Sequence, residues 1–228
     1  MSQSGLPTHL AVFAKYWEPG HVKTRLGARI GDQVASTIQR EFLGHLLHRF
    51  RSTADCRTLV FWPPEKEREF QEFIPRQWGM ACQKAGELDT KLSHFLKSRF
   101  PQHPERMVVV GADSPDLPQE FLGEAFGLLN RHNVVLGPSL DGGYYLVGLN
   151  AYVPIFDDIA WSTAAVFDQT VEHLRRQEID FAVLKAWEDV DDWPSLQSLL
   201  HRLQKNEADP DQSHLLDRLQ AILGMASP

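Results

Sequence analysis

The stretch VVVGADSPDLP, residues 108–118, decides how this chain folds. Val108, Val109 and Val110 form a run with no polar face, the pattern of a strand covered on both sides. The run leads directly into two carboxylates, Asp113 and Asp116. Ionisable groups at the end of a buried strand are costly unless a cation satisfies them. Asp116 lies just before Pro118, a helix-starting proline, and reads as the cap of the helix that begins there. Asp113 has no such structural role. The expected cation is a divalent metal, Mg2+ or Mn2+, held with a second carboxylate from elsewhere in the chain.

Outward from this stretch, apolar runs alternate with helical patterns. HLAVFA (9–14) reads as a first strand, and Val34, Ile38, Phe42, Leu46 and Leu47 keep helical spacing from Asp32 to about Arg51. TLVFW (58–62) is a second strand, followed by a charged helix over Glu65–Phe73 and a short strand near Met80–Gln83. Asp89 is expected to cap a helix through Phe100. RMVVVGA is the fourth strand; NVVLG and YYLVGL pair as neighbours, with YYLVGL antiparallel. Ser162 caps a helix to about Gln177, FAVLKAW is the last strand, and two helices close the chain. This is an α/β pattern: a three-layer α/β/α sandwich on a mostly parallel sheet. It is expected to form one domain over 1–228, its core at about 8–200, with the C-terminal helices running to 228.

Composition limits the function. The chain has 228 residues, 43% hydrophobic, enough for a sizeable core. It has no run of about eighteen apolar residues, so no membrane span is expected. MSQSGLPTHL has neither the charged start nor the apolar stretch of a signal peptide. Cys56 and Cys82 are too few for a disulfide framework, and a cytoplasmic protein is expected. The net charge of −7 argues against a nucleic-acid binder but leaves room for a locally basic pocket. The ten histidines show no HExxH pattern, and most fall on helical stretches that read as solvated surface.

In open parallel sheets, ligands collect at the carboxyl ends of strands. Three such ends carry unusual residues. The first strand ends in KYWEPGHVKTRLG, where Gly20 permits a sharp turn before Lys23, Thr24 and Arg25. With Lys15 and Arg29 nearby, this suits a phosphate or diphosphate, although the P-loop spacing is absent. The last strand ends in EDVDD. Asp191 or Asp192 can cap the next helix, but beside Asp113 the better metal ligand is Asp191. SLDGG (139–143) reads first as a hairpin. Gly142 and Gly143 would also let a sugar approach the backbone, and Asp141 could bind a hydroxyl. Trp161 and Ser162 offer a stacking face beside a helix start, or simply a core tryptophan beside a cap.

AVFAKYWEPGHVKTRLG, VVVGADSPDLP, GPSLDGGYYLVGL, AWSTAAVF and DVDD, in that order, resemble a bacterial family of small GT-A-fold proteins. These are described as nucleotide-diphospho-sugar transferases, or as glycosyltransferases linked to arsenosugar biosynthesis. The resemblance spans roughly residues 8–200 and extends more distantly to molybdenum-cofactor and phospholactate guanylyltransferases. It implies a nucleotide-diphospho-sugar transferase fold binding a nucleotide with Mg2+ or Mn2+. Lys23 and Arg25 would hold phosphates, Asp113 and Asp191 the metal, and Gln83 and Gly86 would contact the nucleotide. Two segments depart from the pattern: QKAGELD (83–89) where relatives read Q-x-x-G-D-L-G, and DVDDWPSL where they read D-V-D-T-P-E-D-L. The implied reaction is metal-dependent glycosyl transfer from a nucleoside diphosphate sugar to a small acceptor. The alternatives are nucleotidyl transfer with release of pyrophosphate, and nucleotide binding without catalysis. Glycosyl transfer is favoured because Asp141, Gly142 and Gly143 could cradle a sugar, and because the glycine-rich activating loop of sugar nucleotidyltransferases is missing. Donor, acceptor, base and oligomeric state are not set by these motifs.

Overall fold

The computed structural model describes residues 5–100, 104–157, 159–161, 163–206 and 208–225. Its strands are β1 (Thr8–Lys15), β2 (Cys56–Trp62), β3 (Gly79–Cys82), β4 (Arg106–Gly111), β5 (Val134–Pro138), β6 (Tyr144–Leu149) and β7 (Phe181–Val183). The helices are α1 (Thr24–Ile30), α2 (Asp32–Arg49), α3 (Glu67–Phe73), α4 (Leu88–Arg99), α5 (Gln119–Leu128), α6 (Val166–Arg176), α7 (Trp193–Lys205) and α8 (Pro210–Met225). All seven strands join one sheet in the order β3-β2-β1-β4-β6-β5-β7. β1 pairs in parallel with β2 and β4, β2 with β3, and β5 with β7. β6 runs antiparallel between β4 and β5, as its hairpin sequence predicts.

Strand alternation divides the core. Leu10, Val12 and Ala14 of β1 pack with Leu43, Leu46 and Leu47 of α2 and with Leu122 and Phe126 of α5. Ala11 points the other way, into a cluster with Leu92, Phe95 and Leu96 of α4 and Leu174 of α6. A third cluster unites Leu26, Ile38 and Phe42 with Leu196 and Leu199 of α7 and Leu215 and Leu219 of α8. α2 is therefore apolar on two sides, one under the sheet and one under the C-terminal helices. No helix among the described residues is long and apolar enough to cross a membrane.

Several local expectations are corrected. α4 begins at Leu88 with Glu87 as its extended cap residue, so Asp89 lies in the first turn, where its charge still complements the helix dipole. α6 begins at Val166 after Ala165 rather than near Ser162, which lies outside the described residues. Regular pairing of the last strand stops at Val183, with an isolated bridge from Trp187 to Ser139. Asp116 caps nothing: Pro118 is the cap residue of α5 and has no side-chain partner there. The Asp116 carboxylate is buried and accepts from Arg202 of α7 at 2.6 Å (Nε) and 3.3 Å (Nη2) and from Trp187 Nε1 at 3.3 Å.

Candidate active site

The parallel strands β1, β2 and β4 deliver their carboxyl ends to one edge of the sheet, and the β5–β6 turn opens on the same edge. A cavity of about 680 Å3 lies there, lined among others by Lys15, Arg25, Trp62, Gln83, Lys91, Asp113, Asp141, Gly143, Tyr144, Trp161 and Asp189.

Lys23 precedes α1 in the left-handed conformation (φ 47, ψ 42), which costs a non-glycine residue about 1–2 kcal/mol. Its side chain is only 2% exposed, with the ammonium 5.9 Å from the centre of the Phe42 ring. It pairs with Asp113 Oδ1 and, at 3.0 Å, with Asp191 Oδ1. Arg25 is mostly exposed and reaches Asp191 Oδ2 at 2.7 Å. Burial alone would lower the Lys23 pKa, but Asp113 and Asp191 outweigh it and hold the ammonium above its ordinary value. Burial likewise works against the Asp191 carboxylate, and Lys23 and Arg25 reverse the balance, so its pKa is lowered. Asp189 lacks such a partner. Burial, followed by the charges of Asp113, Asp141 and Asp191, pushes it up to about 7 against the hydrogen bond donated by Ser114.

Local structure frees Asp191 for this role. Asp192, the next residue, caps α7: its carboxylate accepts from Ser195 N at 3.0 Å, and Ser195 Oγ accepts from the Asp192 N–H at 3.0 Å. Val190 N donates to Asp113 O at 2.8 Å and ties the segment to the end of β4.

Two further cations line the cavity at the β1–β2 side of the sheet. Lys15 donates to His21 O at 2.8 Å, and Lys91 lies 5.2 Å from the centre of the Trp62 ring. Neither has a carboxylate partner among the described residues. Burial, then the charge of Lys15, lowers the Lys91 pKa.

Of the residues singled out in the sequence, Arg25, Gln83, Asp113, Asp141, Gly143 and Trp161 line the cavity. Lys23 and Asp191 join it through Asp113. Gly20, Thr24, Gly86 and Gly142 are not among its lining residues. Gly142, with φ +93, packs so closely that a Cβ would lie 2.1 Å from Ala164 O, so it serves the turn and its docking rather than a sugar. The Gln83 amide nitrogen donates to Ala14 O at 3.2 Å and Val60 O at 2.8 Å, bracing β1 and β2. Asp141 accepts from Ser139 Oγ and from Gly143 N at 3.1 Å. Trp161 Nε1 is buried without a hydrogen-bond partner among the described residues. Sequence reasoning did not rank Asp189 or Lys91. Asp189 was visible in the same acidic run as Asp191, whereas nothing local marks Lys91.

A metal fits the acidic wall by its donors. Asp113 and Asp191 converge on one cation and present only oxygen, the ligand set of Mg2+ or Mn2+. Among the described residues no group of three or more His, Cys, Asp or Glu side chains could hold such an ion alone. Oxygens of a bound phosphate would complete the set, as is usual for Mg2+.

Sheet order and strand-end pocket together are those of the nucleotide-diphospho-sugar transferase fold. A nucleotide-diphospho-sugar transferase of provisional assignment from Desulfovibrio desulfuricans G20 is 30% identical over 96% of this chain and 97% of its own, with a TM-score of 0.86. The chain belongs to the DUF2064 family, described as an uncharacterized protein conserved in bacteria, whose model matches residues 46–163. That match takes in Asp113 and Asp141 but neither Lys23 nor Asp191. Two more distant structures share the fold. The inositol-1-phosphate CTP transferase from T. maritima is 14% identical, with a TM-score of 0.54 over 95% of this chain and 97% of its own. The 4-diphosphocytidyl-2C-methyl-D-erythritol synthase from Anaerococcus prevotii DSM 20548 is 11% identical, with a TM-score of 0.57 over 87% and 99%. No curated protein matches the chain.

Proposed function

We propose that this protein is a metal-dependent glycosyltransferase that uses a nucleoside diphosphate sugar. The observation that carries the proposal is the division of the cavity. Lys15 and Lys91, without carboxylate partners among the described residues, line it at the β1–β2 side of the sheet, and Asp113, Asp141 and Asp189 line it at the side of β4 to β7, with Asp191 joined to Asp113 through Lys23. A diphosphate fits between the two sides when a divalent cation accompanies it, because bare carboxylates would repel it. Lys15, Lys91 and Arg25 bind and orient the phosphates, and Trp62 offers the base a flat face beside Lys91. Asp113 and Asp191 hold the metal, which when bound stabilises the charge of the departing diphosphate. Lys23 keeps these two carboxylates together. Asp141, Gly143, Tyr144 and Trp161 line the part of the cavity assigned to sugar and acceptor. The anomeric carbon–oxygen bond breaks with its electron pair leaving on the diphosphate. The acceptor hydroxyl forms the new bond, and its proton passes to solvent.

The test is incubation with a panel of sugar nucleotides and Mn2+. At least one should yield free nucleoside diphosphate, by slow hydrolysis even without the acceptor. Pyrophosphate from a nucleoside triphosphate, lost in Asp113→Asn, would instead assign nucleotidyl transfer. Tight nucleotide binding with neither product would assign a protein that only binds. Lys91→Ala should weaken a nucleoside diphosphate by about 10- to 100-fold and the bare nucleoside little, since hydrogen bonds to charged groups contribute about 1.5–3 kcal/mol.

A further inference from the structure

A second cleft, of about 500 Å3, lies between α2, α3 and α8 and is lined by Arg40, His45, His48, Phe73, His214 and Arg218, with Glu41 and Asp211 beside them. Two of its side chains already have acidic partners. Arg218 grips Glu41 through Nη2 at 2.6 Å and Nε at 3.1 Å, and His48 Nε2 lies 3.7 Å from Asp211 Oδ1. Arg40 is not matched: among the described residues it makes no ion pair, and its guanidinium rests on Phe73 and Trp17, 5.2 and 5.6 Å from the ring centres. His45 is not matched either. Among the described residues its Nε2 is buried without a hydrogen-bond partner, a state that buried polar atoms rarely keep without a ligand or water.

We propose that this cleft is a second anion site, distinct from the strand-end cavity, that takes the phosphate group of a small metabolite. Arg40 supplies the charge. The neutral His45 imidazole donates from Nε2, and exposed His214 donates from the rim. A concave site with one guanidinium that has no carboxylate partner among the described residues suits a single phosphate group. A polyanion would need a broad basic surface, and this acidic chain offers none here. The groups facing the cleft are Arg40, Glu41, His45 and His48 of α2 and Asp211, His214 and Arg218 of α8. Arg49 and Asp209 act on His45 from just outside.

The site is coupled to the first cavity by contact. Trp17, which Arg40 covers, stacks on Tyr16 at 4.6 Å, and both lie in the segment that runs from Lys15 to Lys23 and Arg25. An anion that draws Arg40 towards the cleft loosens its hold on Trp17, so occupancy of either site alters affinity at the other.

The test uses the whole protein, with its histidine and tryptophan side chains followed by NMR while inorganic phosphate, then pyrophosphate, is added at neutral pH. The His45 and His214 resonances should move and saturate, while His9, buried elsewhere, stays fixed. Arg40→Gln, an exposed position that the core does not need, should weaken this response at least tenfold, and His214→Asn should weaken it less. The Trp17 indole should move with His45 in the wild type and not in Arg40→Gln. A His45 resonance unmoved through millimolar phosphate and pyrophosphate, or a response unchanged in Arg40→Gln, overturns the site. A Trp17 resonance that stays still while His45 moves overturns the coupling.

Discussion

Lys23 is the residue on which the carboxylate cluster turns. It is almost fully buried, bonds both Asp113 and Asp191, and accepts a left-handed backbone to do so. Removing the ammonium leaves two partly exposed carboxylates facing each other. In metal-free buffer Lys23→Ala should lose about 2–3 kcal/mol, below the full cost of breaking a buried pair because solvent reaches both acids. Added Mn2+ should raise the melting temperature of this variant more than that of the wild type; equal shifts would separate the metal from these carboxylates. Asp116 is a different kind of acid. It is buried and held by Arg202, which also pairs with Glu188. Arg202→Ala should therefore cost about 3 kcal/mol in urea melts whether or not metal is present.

At the scale of elements, two turns place the site. The β5–β6 turn carries Asp141 and docks through Gly142, whose added Cβ would overlap the Ala164 carbonyl. Gly142→Ala combines left-handed strain with overpacking and should destabilise by about 3 kcal/mol. Because the same turn orients Asp141, any folded fraction should also bind sugar nucleotides more weakly than free nucleoside diphosphates. The start of α7 is the second turn. Ser195 Oγ accepts from both Asp191 N and Asp192 N at 3.0 Å, so one hydroxyl completes the helix cap and steadies the segment that carries Asp191. Ser195→Ala should cost about 1 kcal/mol of stability. It should also weaken the Mn2+-dependent part of nucleotide binding, measured by calorimetry with and without EDTA.

For the molecule as a whole, the acid limb of stability has an identifiable contributor. Burial, then Arg49, lowers the His45 pKa to about 4 against the opposing charges of Asp211 and Asp209, with His48 adding to the lowering. The unfolded chain takes up this proton near pH 6.5 and the folded chain only near 4, so the neutral imidazole's contribution is complete above 6.5. It is lost as pH falls from 6.5 to 4, by up to about 3 kcal/mol. His45→Gln should flatten that part of the stability–pH curve in chemical melts. Phosphate should flatten it too in the wild type if the second cleft binds it.

Local pattern was enough for much of this molecule. The doubly covered β4, the hairpin with its antiparallel β6, the extent of α2 and the strand-end acids are all written in short-range periodicity and turn residues. Asp113 and Asp141 were therefore legible as cavity-lining acids, because a charge at the end of an apolar strand is itself a local anomaly, and Arg25 was legible from its basic loop. What the acids bond to was not. Lys23 meets Asp113 across 90 residues and Asp191 across 168, and Arg202 meets Asp116 across 86. Those pairings depend on sheet order and on how α7 lies against the strand ends. His9, on the first strand, is likewise joined to Glu105 and Thr58 in the interior rather than solvated. The cations Lys15 and Lys91, without carboxylate partners among the described residues, come from a strand end and a helix that only the crossover from β3 brings together. Secondary structure follows from neighbours in sequence. The balance of buried charge follows from neighbours in space, and only tertiary structure decided it.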